Sequence, residues 1–163
     1  KQIVQSFLTK VAIFAENKVE NQHKKLVFAS MKRFNITISS NFEELWRYNI
    51  IAVCELCSAD GNRIEYKSQE STIAAVGSNL SSPPADYNVE RTIVMESAEG
   101  EYINLLVYIV PHTLPSTDDI YQTKPFSMNI KVKTEEGVVL NQMFKINQWS
   151  GDNIALSKVG ITE

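Results

Sequence analysis

The sequence predicts a mainly β protein: a single-domain antiparallel β-sandwich of roughly eight strands with one or two short helical segments. Two observations carry this prediction. Apolar runs that alternate, or are apolar on both faces, are joined by acidic glycine turns through the second half of the chain. Turn signals then recur at the spacing of about 8 to 12 residues expected of an all-β sandwich.

The elements follow in order. Residues 3–19 fit two patterns. Ile3, Phe7, Val11 and Phe14, with Val4, Leu8 and Ala15 beside them, have helical spacing. Phe7, Thr9, Val11, Ile13 and Ala15 have strand spacing, and their β-branched content leans to strand. The polar residues 16–25 then make a loop or a long hairpin connection. Phe34, Ile36 and Ile38 alternate with Asn35, Thr37 and Ser39 in a strand within 26–39. Asn41 can cap one helical turn through Glu43 and Glu44 that carries Leu45 and Trp46 onto the core.

Residues 48–56 are apolar on both faces, as a strand in the middle of a sandwich should be. The turn dipeptide Asp60-Gly61 returns the chain into 63–66, a hairpin at the centre of the sequence. Ser68 to Gly77 reads as a short capped helix or as a strand ending in a loop. Pro83 and Pro84 make 81–86 a loop, because paired prolines cannot donate to a ladder.

The run 92–95 is expected to turn through Ser97, Ala98, Glu99 and Gly100 into 102–110 as a hairpin. The second strand of that hairpin has Ile103, Leu105, Val107 and Ile109 on one face and Tyr102, Asn104, Leu106 and Tyr108 on the other. The polar stretch 111–125 is long enough to suggest a functional loop. Met128, Ile130 and Val132 alternate cleanly and pass through Glu135-Glu136-Gly137 into 138–146. A final pair, 138–149 and 154–161, is split by Ser150, Gly151, Asp152 and Asn153.

Length and charge exclude several function classes. A chain of 163 residues makes one ordinary domain that buries roughly two thirds of its unfolded surface. Its net charge of −3 offers no electrostatic reason to bind nucleic acid or an anionic membrane. The doublets Lys24-Lys25 and Lys32-Arg33 divide between the two faces of a strand and read as solvated edges. No apolar run approaches the roughly 20 residues of a membrane span. Lys1 has no methionine before it, the pattern of a trimmed chain or of a mature form whose leader was removed; the second case means export. The localisation expected on that ground leans to secreted or cell envelope.

No grouping of residues declares a chemistry. Cys54 and Cys57 form a C-x-x-C, but no second Cys or His pair completes a zinc site. On a strand the two thiols point to opposite faces, so they are expected reduced, with at least Cys54 buried. His112, near Ser116, Asp118 and Asp119, invites a hydrolase reading, yet no nucleophile elbow accompanies it. Asp60, Asp118, Asp119 and Asp152 lie at strand ends and could share a calcium ion only if their loops converge. Asx turns explain each of them alone. No phosphate-binding glycine motif is present. Asn35-Ile36-Thr37 and Asn79-Leu80-Ser81 match the N-glycosylation pattern.

The aromatics leave the remaining opening. Trp149 beside Asp152 and Asn153, with Tyr102 and Tyr108 on the less apolar face of their strand, are candidate ligand-binding residues; for Trp46 and Trp149 the favoured reading is that both are plugs closing the core. The function expected is a non-enzymatic binding or assembly module, a protein-interaction or structural subunit of an extracellular or envelope system. A carbohydrate-binding module and a hydrolase using His112 are the alternatives. The expected partner is another protein or a second copy of the chain, with a glycan second and no resident cofactor.

Overall fold

The computed structural model describes residues 31–161. The readings for residues 3–19 and 16–25 and the Lys24-Lys25 doublet lie outside them. Eight strands run in order: β1 (Lys32–Ser39), β2 (Tyr48–Cys57), β3 (Arg63–Ser71), β4 (Thr92–Gly100), β5 (Tyr102–Pro111), β6 (Phe126–Thr134), β7 (Gly137–Ile146) and β8 (Asp152–Val159). One 3-10 turn, Leu45–Arg47, precedes β2. The strands form two four-stranded antiparallel sheets, β4-β1-β6-β7 and β3-β2-β5-β8.

Alternation decides the faces. Phe34, Ile36 and Ile38 of β1 and Met128, Ile130 and Val132 of β6 point inward from one sheet; Ile50, Ala52, Cys54 and Leu56 of β2 and Ile103, Leu105, Val107 and Ile109 of β5 point inward from the other. These side chains form one buried cluster between the sheets. The edge strands contribute less: Ile93 and Met95 come from β4, Ile146 from β7 and Ile154 and Val159 from β8, while Leu140, Phe144 and Leu156 are only partly buried against the cluster. Removing this apolar surface from water, at about 25 cal/mol per Å², holds the sheets together.

The central hairpin forms as expected. β2 and β3 pair from Ile50 with Ser71 to Cys57 with Arg63, and the turn closes through Ser58 N to Asn62 O at 2.9 Å. The return strand is longer than 63–66 and runs to Ser71, so 68–71 is strand and 72–77 is loop. β6 and β7 form the other expected hairpin, with a bulge between Val132 and Lys133.

The expected hairpin from 92–95 into 102–110 does not form. Ser97, Ala98, Glu99 and Gly100 continue β4 beside β1, and the chain changes sheets at Glu101, so that β5 pairs with β2 and β8. Close packing makes this a corner. A Cβ on Gly100 would sit 2.6 Å from Leu56 Cδ1 and 3.1 Å from Cys57 O, so only glycine lets β4 pass so near β2. The final pair is likewise divided, β7 in one sheet and β8 in the other. The 3-10 turn also departs from expectation: Glu44, not Asn41, occupies its cap position, with no side-chain cap bond. Leu45 and Trp46 are nonetheless buried.

The order of strands places the connections unequally. Residues 40–47, 72–91, 112–125 and 147–151 all join strands at the end of the sandwich marked by Tyr48 and Pro111. Among the described residues, the opposite end carries Met31, 58–62, Glu101, 135–136 and the residues after β8.

Candidate functional site

The long connections at the Tyr48 end make the candidate site, and buried polar groups order them. His112 is 1% exposed. Its Nε2–H donates to Trp46 O at 2.8 Å, which makes Nδ1 the acceptor for the Thr113 hydroxyl, also at 2.8 Å. Thr113 Oγ1 in turn accepts from Leu80 N at 2.9 Å. Asn79 N donates to His112 O at 3.0 Å and His112 N to Arg47 O at 2.9 Å. One histidine thereby ties 40–47, 72–91 and 112–125 together. Burial, helped by the Arg91 charge, holds the imidazole below its usual pKa and so keeps it neutral.

Two arginines complete the platform. Arg91 donates to the Leu45 and Tyr48 carbonyls at 3.1 and 2.9 Å and to the Ser71 carbonyl. Arg47 is 2% exposed and bonds Glu44 at 2.8 Å and Gln148 at 2.5 Å. Its guanidinium carbon lies 5.8 Å from the Phe42 ring centroid and 5.5 Å from that of Tyr48. Phe42 stacks on Phe126 at 4.5 Å. The Tyr48 phenol donates to Gln148 O, and burial pushes its pKa up to about 12. The loop ends are held by hydrogen bonds in a low-dielectric setting, where each is stronger than in water.

These connections expose apolar side chains among polar ones such as Ser116, Asp118 and Gln122. Val76, Val89, Leu114, Ile120 and Tyr121 are exposed on the long connections, Tyr121 at 97%. Asp119 shapes the loop beneath the last two, its carboxylate accepting from Tyr121 N at 2.9 Å and Gln122 N at 3.3 Å. Beside the loops lies a groove of about 590 Å³ lined by Ser39, Asn41, Thr92, Asn129, Glu90 and Met143 among others. A second groove of about 520 Å³ adjoins it and shares Asn41 and Ser127.

The sequence candidates fall in several places. Tyr108 and Asn153 are register partners on β5 and β8, and Asp152 and Trp149 follow toward the loop end. Tyr102 is 8% exposed and pairs with Cys57 at the far end, about 20 Å from Tyr108 at the usual strand rise. It is not part of one site with Trp149. Trp46 is a buried plug at 8% exposure; Trp149 is half-buried with its ring N–H inside and without a partner among the described residues.

Asp60 sits in the β2–β3 turn, at the opposite end from Asp118 and Asp119, so the three acidic loops do not converge. Among the described residues no three His, Cys, Asp or Glu side chains cluster closely enough to hold a metal. Cys54 and Cys57 are both free and buried. A register shift at Cys57 accompanies its burial, and Asn104 Nδ2 lies 3.9 Å from its Sγ. His112 has both ring nitrogens engaged, with no free lone pair to accept a serine proton.

Sequence reading missed Arg47 and Arg91, because a buried arginine is visible only once its carbonyl and ring partners assemble. It also missed Ile120 and Tyr121, for which a signal existed: an apolar pair inside an otherwise polar loop. The chain matches no protein-family model, no curated protein and no solved structure.

Proposed function

We propose that this chain is a non-enzymatic binding or assembly module, a protein-interaction subunit of an extracellular or envelope system, and that the loop end is its recognition surface. One observation carries the reading. Val76, Val89, Leu114, Ile120 and Tyr121 stand exposed on long loops that share one end of the sandwich, and buried hydrogen bonds tie those loops together before a partner arrives. Pre-ordering lowers the entropy cost of association, and Tyr121 with Ile120 supplies the amphipathic and apolar contact typical of a protein interface.

The test is proteome capture by the full chain from native extracts, against an Ile120→Ser, Tyr121→Ser variant of matched thermal stability. A partner retained by the native chain and reduced at least about tenfold by the variant, equivalent to one 1.4 kcal/mol step or more, supports the proposal. Equal retention by both refutes it.

A second reading has its own observation. Most residues lining the 590 Å³ groove carry a hydroxyl or an amide, beside the single carboxylate of Glu90 and apolar surface that includes Met143 and Val89. Such a lining suits a neutral glycan. Titration with a glycan panel should then show binding that Asn129→Ala removes, and no response from any glycan would end that reading.

A further inference from the structure

The four edge strands of the sandwich are not equally protected. β4 has its outer backbone capped: Lys67 Nζ donates to Glu96 O at 2.8 Å and Ala98 N donates to the Glu65 carboxylate at 2.8 Å. β3, which supplies those caps, carries Arg63, Glu65, Lys67 and Glu70. β8 is broken by a register shift, with Lys158 at φ +54° and its N–H taken by the Asn104 side chain at 3.0 Å. Charges, caps and bulges are the devices by which sheets keep their edges from pairing.

β7 carries almost none of them. Its ten residues contain one charge, Lys145, and no proline, and its bulge lies next to the turn. Among the described residues it pairs only with β6. Val138, Val139 and Met143 stand exposed along it, while Leu140 and Phe144, on its inward side, are covered only in part. Among the described residues, β3 and β4 are guarded by charges and caps, and β7 has no strand on its outer side.

We propose that β7 is a homodimer edge: a second copy of this chain pairs with it antiparallel about a two-fold axis at Asn141, making one continuous eight-stranded sheet from two copies of β4-β1-β6-β7. The strand is self-complementary about that axis. Asn141 meets its own copy, so two amides face each other. Met143 lies opposite Val139, giving an apolar contact on each side of the axis. Lys145 falls opposite Gly137, beside Glu135 and Glu136 of the turn, so the only cation of the strand meets the only acidic pair adjoining it. An isologous pairing repeats each of these contacts twice. The inward side chains Leu140 and Phe144 complete their burial in the same step. The inference deepens the assembly reading above, but rests on different residues from the loop end.

Sedimentation velocity of the full chain over a wide concentration range tests the proposal. The native chain should dimerise, and Asn141→Lys, which sets two like charges on the axis, should weaken the dimer at least about tenfold, or 1.4 kcal/mol, at unchanged thermal stability. Asn141→Cys gives a second readout that survives if the lysine variant fails to fold. Directly opposed strand residues have Cβ atoms about 4.5 to 5.5 Å apart, close to disulfide reach. Mild oxidation should therefore link Asn141→Cys into covalent dimers, and leave Asn129→Cys, on the adjoining strand, unlinked. A native chain that stays monomeric, a dimer indifferent to both Asn141 variants, or a monomer whose β7 amides resist exchange because the edge is filled from within the chain would each overturn the proposal. The Ile120→Ser, Tyr121→Ser variant should dimerise normally, so failure of the loop-end reading and failure of this one are separable.

Discussion

Replacing His112 by leucine tests whether one buried imidazole orders the loop end. The substitution preserves bulk and removes both ring bonds. It leaves Trp46 O without its 2.8 Å donor and the Thr113 hydroxyl without its 2.8 Å acceptor. A buried polar group left unpaired costs about 1 to 3 kcal/mol. Because the hydroxyl can turn and the carbonyl cannot, the sum is about 2 to 5 kcal/mol, equivalent to a Tm loss of about 5 to 15 °C in a chain of this size.

The pH dependence is the sharper readout. Burial, which outweighs the opposing hydrogen bond to Trp46 O and is helped by Arg91, depresses the folded pKa of His112, whereas the unfolded chain takes up its proton near pH 6.5. Its contribution is therefore complete above about 6.5 and is lost as pH falls from there toward the folded pKa, with a slope of at most about 1.4 kcal/mol per pH unit. Urea denaturation of native and His112→Leu chains from about pH 7.5 to about pH 5 measures the difference between them, cancelling every other titrating group. That difference should shrink on acidification. A difference that is constant or grows would refute the account of a neutral, doubly bonded imidazole.

Three further predictions follow from the same coordinates. Gly151 and Gly77 both have positive φ, but a Cβ on Gly151 would lie 1.9 Å from Ile109 O while one on Gly77 meets nothing within 4 Å. Gly77→Ala should thus cost about 1 to 2 kcal/mol and Gly151→Ala at least about 3 by thermal unfolding; equal costs would mean that the β7–β8 connection does not press on β5. Cys54 and Cys57 should both resist an exposed-thiol reagent at about pH 8 until denaturant is added, since both are buried and the Cys54 thiol is pushed up to about 11 by burial and then by Glu65; fast labelling of either would contradict the packing. Acrylamide should quench the half-buried Trp149 and spare Trp46, so Trp149→Phe should abolish the quenchable emission, and quenching that persists would place Trp46 at the surface.

Strand periodicity made much of the architecture legible. The alternation at Phe34, Ile36 and Ile38 and at Met128, Ile130 and Val132 marked the buried faces, because a period of two is a local property of an extended chain. Asp60-Gly61 and Glu135-Glu136-Gly137 marked two hairpins for the same reason, since a tight turn carries its own chemistry. Ser97 to Gly100 looked like a turn of the same kind and is a strand that changes sheets. Nothing local distinguishes the two cases. What settles it is Leu56, more than forty residues earlier in the chain, packing where a side chain at position 100 would have to stand.

The candidate site was less legible, and for a physical reason. Trp149, Asp152, Asn153, Tyr102 and Tyr108 were chosen by residue type, but which of them lie near one another depends on strand pairing, and pairing separates Tyr102 from the rest. His112 reads as a potential base from sequence, until Trp46 and Thr113 take both its nitrogens. By itself the sequence determined the class of fold and which side chains face inward, because both follow from local periodicity and turn chemistry. The tertiary structure alone decided which loops share an end, which strands pair and which polar groups are buried, because those depend on contacts between residues far apart in the chain.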